Sequence, residues 1–140
     1  MNKSYLGSTG LEVSQISFGT VSLGLPYGIR IERESAMPSE SGSIALLREA
    51  LDRGVNFFDT ALSYGKSEMI VGEAFWDCRD KAIICTKPAH LYDPFAGQSL
   101  PLAHDVKTML QQSLEQSLKR LNTDYIDVYM SHDGTEEVIE

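Results

Sequence analysis

With 140 residues, 42% of them hydrophobic and 23% charged, the chain suits one globular domain that buries a real core. A formal net charge of -8 argues against non-specific binding to nucleic acid or anionic membranes, whose electrostatics need a basic face. No apolar run approaches the roughly 20 residues of a membrane-spanning helix, and Met1-Asn2-Lys3-Ser4-Tyr5 lacks the apolar segment of a signal peptide. The two cysteines, Cys78 and Cys85, have neither metal-binding nor CxxC spacing, so a reduced, cytoplasmic chain is expected.

In chain order, residues 3–14 read as a hairpin turned by Ser8-Thr9-Gly10. Ile16–Phe18 reads as a buried strand, ended by Gly19. Residues 24–43 carry Gly24, Pro26, Gly28, Pro38 and Gly42 and read as a long loop of the kind that often binds ligands. Ile44, Leu47, Ala50 and Leu51 keep helical spacing within Ser43–Arg53, and Gly54 stops that helix. Val55–Phe58 is a compact apolar strand leading into Asp59. Ser67 is a candidate cap for a helix whose apolar side is Met69, Ile70, Ala74 and Phe75. Ala82–Thr86 is a further buried strand, leading into Lys87-Pro88. Residues 88–101 are loop, from their prolines and Gly97. Leu102–Arg120 is the longest helix, with Val106, Leu110, Leu114, Leu118 and Leu121 as its stripe. Tyr125–Met130 is the last strand, ending at Ser131-His132, and 133–140 reads as a frayed acidic tail. Strands alternate with helices, which predicts parallel strands joined by right-handed crossovers.

Asp59, Lys87 and His132 each fall at the C-terminal end of a strand, and Tyr64 lies in the loop after the first of the three. In parallel β/α folds that end is where chemistry is done. A carboxylate directly after a buried strand needs a partner, and Lys87, one strand on, is the obvious one. A neighbouring ammonium favours a phenolate and makes a tyrosine a better acid. His132 can donate a hydrogen bond to a carbonyl oxygen or share a proton with Tyr64. Together the four suit protonation of an oxygen as negative charge builds on it. Carbonyl reduction is such a reaction, with hydride supplied by an external nicotinamide.

The strings around these residues resemble one family. Phe58-Asp59-Thr60-Ala61-Leu62-Ser63-Tyr64-Gly65-Lys66-Ser67-Glu68, with Gly72 following, is similar to the aldo-keto reductase signature. Leu6–Ser14 is similar to that family's N-terminal hairpin, and Phe18-Gly19-Thr20 with Leu23-Gly24 to its first strand and turn. Cys85-Thr86-Lys87 and the run from Leu118-Lys119-Arg120-Leu121 through Asp124-Tyr125-Ile126-Asp127 to Ser131-His132 complete the resemblance over residues 3–132. It implies a TIM-type (β/α) barrel, here about its first four β/α units behind a hairpin, in a single domain of residues 1–140. It implies Tyr64 as general acid tuned by Lys87 and Asp59, with His132 orienting the carbonyl. It implies NADPH or NADH as cofactor, approached by Gly19, Thr20 and Asp59, and a small carbonyl compound as substrate. The family's barrel is longer, and its second half carries the residues that grip the cofactor, so this chain reads as truncated. Unpaired strand edges then predict self-association. A non-catalytic fragment or an interaction module that keeps the pocket is the alternative.

Simpler readings stand beside these. Asp59–Lys87 alone would be a structural ion pair. His90 and His104 read as solvated, and Glu115, Lys119 and Arg120 as the wet side of their helix. Cys85 reads as a small core residue. Tyr92 and Phe95 wall a pocket or merely pack in their loop.

Overall fold

The computed structural model describes residues 1–28, 37–91 and 103–132 of the chain. Residues 29–36, 92–102 and 133–140, with the expected loop residues Tyr92 and Phe95 and the expected tail, lie outside the described residues, as does the side chain of His104.

The hairpin forms as expected. Strand β1 (Lys3–Tyr5) pairs antiparallel with β2 (Glu12–Ser14), with Lys3 opposite Ser14 and Tyr5 opposite Glu12. Gly7 and Gly10 take positive φ angles of 53° and 78°, which lets the connection turn back. Asn56 then clamps the hairpin to the body. Its Oδ1 accepts from the Ser14 amide at 2.7 Å, its Nδ2 donates to Glu12 O at 2.9 Å, and its own amide donates to Ser14 Oγ at 3.1 Å. Because Asn56 just precedes a strand, the hairpin sits at the N-terminal end of the sheet and leaves the other end open.

The sheet is parallel. Its strands β3 (Phe18–Gly19), β4 (Phe57–Asp59), β5 (Ile83–Thr86) and β6 (Val128–Tyr129) lie side by side in chain order. Spatial order equal to chain order is the pattern of consecutive barrel units; a doubly wound sheet reverses direction at a switch point. Phe18, Phe58 and Ile84 share one register row, and Gly19, Asp59, Cys85 and Val128 share the next. Successive strand residues face opposite ways, so the first row meets the helices and the second faces away. Phe58 and Ile84 are fully buried with Leu47, Val71, Ala74 and Phe75, and the Phe58 and Phe75 rings lie 4.6 Å apart.

Helices α1 (Val21–Gly24), α2 (Glu40–Asp52), α3 (Ser67–Phe75) and α4 (Ala103–Leu121) cover that core. Several boundaries differ from expectation. A turn of helix, α1, stands where no helix was expected, and it buries Leu23. Helix α2 begins three residues before Ser43, because the Ser39 hydroxyl accepts from the Gly42 amide at 3.1 Å and caps it; Ser43 is buried inside. Ser67 is not a cap. Lys66 holds that position without a side-chain bond, and Ser67 opens the helix with its hydroxyl buried. Ile16 stays outside β3 and is exposed. β6 is shorter than Tyr125–Met130, because the Asp127 side chain stands in for the ladder there. Its Oδ2 accepts from the Ile84 amide at 2.9 Å and from Arg79 at 2.6 Å, and Arg79 lies over the Tyr125 ring.

Helix α4 is rotated relative to its leucine stripe. Ser113, Ser117 and Leu121 are its buried positions, while Val106, Leu110, Leu114 and Leu118 are half-buried. The reason is the close approach of α3: a Cβ on Gly72 would stand 2.6 Å from the Leu121 carbonyl carbon and oxygen. Small side chains suit such a seam, and Leu121 meets it through its backbone. No helix among the described residues is long and apolar enough to cross a membrane.

Candidate active site

Asp59 is the last residue of β4, and Lys87 follows β5 directly. The Lys87 ammonium contacts Asp59 Oδ1 at 2.5 Å and donates to Thr60 O at 3.1 Å. The lysine side chain is 12% exposed and the aspartate 34%, so the pair is half-sheltered at the open end of the sheet. Beyond Asp59 the chain keeps bonding to its neighbour: the Thr60 amide donates to Cys85 O and the Leu62 amide to Lys87 O. A turn closed by the Tyr64 amide on Ala61 O then lifts Tyr64 above the pair. Lys87 Nζ lies 5.3 Å from the Tyr64 ring centroid. The His132 ring stands edge-on to Tyr64 with centroids 5.7 Å apart. The four residues expected to converge do so.

The Tyr64 loop is held from both sides. On one, Gly24 touches it backbone to backbone, so that a Cβ there would overlap Tyr64 O; Gly24 O also accepts from the Lys66 amide at 3.2 Å. Gly65 takes φ 57°, which a side chain resists. On the other, Arg120 of α4 donates to Leu62 O at 2.9 Å. Arg120, expected on the wet side of its helix, instead reaches this loop and comes within 3.8 Å of Glu68 Oε2.

Glu68 is fully buried, a role that sequence reasoning missed although the residue lies in the signature string. Thr86 Oγ1 donates to its Oε1 at 2.7 Å, while Oε2 has no hydrogen-bond partner among the described residues. Burial pushes its carboxyl above the usual glutamate value; Thr86, Ser117 and the Arg120 charge pull it part of the way back. Cys85 lies beside Asp59, and burial, reinforced by that carboxylate, pushes its thiol up to about 11. It is a neutral thiol rather than a nucleophile.

His90, expected to be solvated, stacks on His132 with ring centroids 4.1 Å apart and planes 30° from parallel. The criterion that singled out Lys87, a polar residue just past the same strand, would have found it. His132 Nδ1 lies 3.2 Å from Ser63 Oγ and 3.3 Å from Pro88 O. Of the three residues expected at a cofactor, Asp59 is the partner of Lys87, and Gly19 is exposed, so that a Cβ built on it would meet nothing within 4 Å. Thr20 is fully buried: its hydroxyl donates to Asp59 O at 2.8 Å and contacts Ser67 Oγ at 2.5 Å. Its side chain therefore braces the strand end and is not open to a ligand. A cavity of about 230 Å³ adjoins the site, lined by Pro88, Leu91, Tyr129, Met130 and Ser131 among others. Larger clefts lie at Trp76 and Tyr125 and beneath the hairpin, away from the four residues.

Residues 15–138 match the sequence model of the aldo/keto reductase family. The chain is 33% identical over 139 residues to YqkF of Bacillus subtilis, described as an uncharacterized oxidoreductase, covering 98% of this chain and 40% of that protein. The chain thus spans about two fifths of the length of that relative. It superposes on the holo form of aldo-keto reductase AKR11C1 from Bacillus halodurans with a TM-score of 0.75 at 32% identity, covering 98% of this chain and 42% of that one. An aldo-keto reductase from Klebsiella pneumoniae in complex with NADPH matches with a TM-score of 0.64 at 28% identity, over 89% of this chain and 37% of that one. The sheet and helices are accordingly part of a TIM-type barrel, and the chain belongs to the aldo/keto reductase family.

Proposed function

We propose that this chain serves NAD(P)H-dependent reduction of an aldehyde or ketone to an alcohol. The observation that carries the reading is the Lys87–Asp59 pair beneath the Tyr64 ring, with His132 at its edge.

The described residues fit the nicotinamide end of such a cofactor. Gly19 leaves its strand end bare, and the Asp59 side chain next to it keeps 34% of its surface exposed. Thr20 would act indirectly, by holding the Asp59 backbone. When bound, the cofactor supplies a hydride to the carbonyl carbon. The chain's own residues handle the oxygen. Tyr64 donates its hydroxyl proton to it, and the Lys87 ammonium favours the negative charge that grows on the phenol. Asp59 keeps that ammonium in place. His132 holds the carbonyl by a hydrogen bond. The two cysteines, neither in a disulfide, fit a reducing compartment such as the cytoplasm.

The test is Tyr64→Phe, assayed for NADPH-dependent reduction across a panel of aldehydes and ketones. Loss of the general acid should lower turnover by about 10²–10⁴-fold with the circular dichroism spectrum unchanged. Equal turnover in the two proteins would overturn the reading. So would calorimetry showing no NADPH binding at millimolar concentration, which would favour an interaction module instead.

A further inference from the structure

His132 Nδ1 faces two groups of different chemistry at nearly equal distance, Ser63 Oγ at 3.2 Å and Pro88 O at 3.3 Å. A carbonyl oxygen only accepts hydrogen bonds, whereas a serine hydroxyl donates or accepts. A neutral imidazole carries one N–H. If that proton sits on Nδ1, it goes to Pro88 O, and Nε2 becomes a bare acceptor. If Nδ1 is bare, Ser63 is the one of these two groups that can supply it with a proton, and the ring's own N–H is then on Nε2. Which partner Nδ1 engages therefore decides what the other nitrogen can do.

The ring has little freedom to escape this choice. His90 lies flat against it at 4.1 Å, and Tyr64 meets it edge-on. Ser63 is itself fixed, since it lies between Leu62, whose carbonyl accepts from Arg120, and Tyr64, whose amide closes the turn on Ala61. Polarising a substrate carbonyl requires a donor, and a bare Nε2 would set lone pair against lone pair.

We propose that Ser63 is a positioning residue that selects the Nε2–H tautomer of His132 by donating its hydroxyl proton to Nδ1. The proposal rests on the reading above that His132 hydrogen-bonds the carbonyl. It adds a residue adjacent to the general acid that sets the state of its partner. His90 completes the device by keeping the imidazole plane where Nδ1 meets Ser63.

Long-range ¹H–¹⁵N correlation spectra of the whole chain, labelled with ¹⁵N-histidine and recorded above the imidazole titration, read the tautomer directly. The His132 signals are assigned by their loss in His132→Gln. In the wild type, Nδ1 should carry the bare-nitrogen shift and Nε2 the protonated one. Ser63→Ala should reverse the two, as Nδ1–H turns to Pro88 O. Ser63→Thr keeps the hydroxyl and should restore the wild-type pattern, which a purely structural role for this position would not require. A wild-type spectrum with Nδ1 protonated, or a Ser63→Ala spectrum identical to wild type, overturns the proposal. These readouts need no turnover, so they stand apart from the Tyr64→Phe assay. A reversed tautomer in a chain without reductase activity would keep Ser63's action on His132 and remove only the carbonyl reading.

Discussion

A carboxylate on the last residue of a buried strand needs an opposite charge close by, and Asp59 meets Lys87 one strand away. The two are directly coupled, so a double-mutant cycle with Asp59→Asn and Lys87→Met should give an interaction term of roughly 0.5–3 kcal/mol in urea unfolding. A term indistinguishable from zero would mean the pair is held by the loop rather than by its own attraction. Glu68 behaves differently, because burial is the main influence on it and raises its folded-state pKa. Such a group binds its proton more tightly when folded. Its contribution to stability is fully present below the unfolded value, about 4.3, and is lost as pH rises through the folded value. Glu68→Gln removes that titration. The variant should gain stability relative to wild type on going from about pH 5 to about pH 8, read as the difference in urea midpoints. An unchanged difference across that range would show that Arg120 and Thr86 offset the burial in full. The charge of Asp59 and Lys87 and their strand-end placement were legible in the sequence. The burial of Glu68 was not, because it depends on Thr86, Ser117 and Arg120, which come from a strand and a helix further along the chain.

Two glycines set how the elements meet. Gly72 lets α3 lie against the last turn of α4, and Gly24 lets α1 lie against the Tyr64 loop. Gly72→Ala forces those helices apart and should destabilise by about 1–3 kcal/mol, the usual cost of overpacking. Because Arg120, whose carbonyl oxygen would lie 2.8 Å from the new Cβ, also holds the Tyr64 loop through Leu62 O, the variant's Tyr64 ring signals should shift in NMR spectra. Gly24→Ala should cost a comparable amount and also move the Tyr64 signals, since the new Cβ would overlap Tyr64 O. Tyr64 signals unmoved in either variant would contradict the contact assigned to that glycine. Element type and order were readable from hydrophobic period and strand-end punctuation. Ends were less so, as at α2, where Ser39 caps a helix through a segment whose Pro38 and Gly42 resemble a loop. The orientation of α4 was hidden too. A leucine stripe reports which side is apolar, while the serine seam is chosen by how closely Gly72 lets its neighbour approach.

Across the molecule, the sheet has a helix-covered face and a face carrying Gly19, Asp59, Cys85 and Val128. Among the described residues, β3 and β6 each pair on one side, and Met130, next to β6, is 48% exposed. Strand edges and exposed apolar side chains favour association. Sedimentation velocity of this chain should show weight-average mass rising with concentration, and Met130→Lys should reduce the rise. A monomer at every concentration would count against open edges as adhesive surfaces.

The sequence by itself determined the kind of fold and which polar groups stand at its open end. Alternating apolar runs specify parallel strands with crossovers, and three of the four strands lead to a polar residue whose type, carboxylate, amine or imidazole, needs no structure to recognise. Only the tertiary structure decided which polar groups serve the site and which serve the frame. Thr20 and Ser67 turn their hydroxyls into the scaffold, while Ser63 and His90 turn toward His132. The physical reason is range. Hydrophobic period and strand ends are local, but the contact between Ser63 and His132 joins residues 69 positions apart. It comes into being only when the strands take up their register.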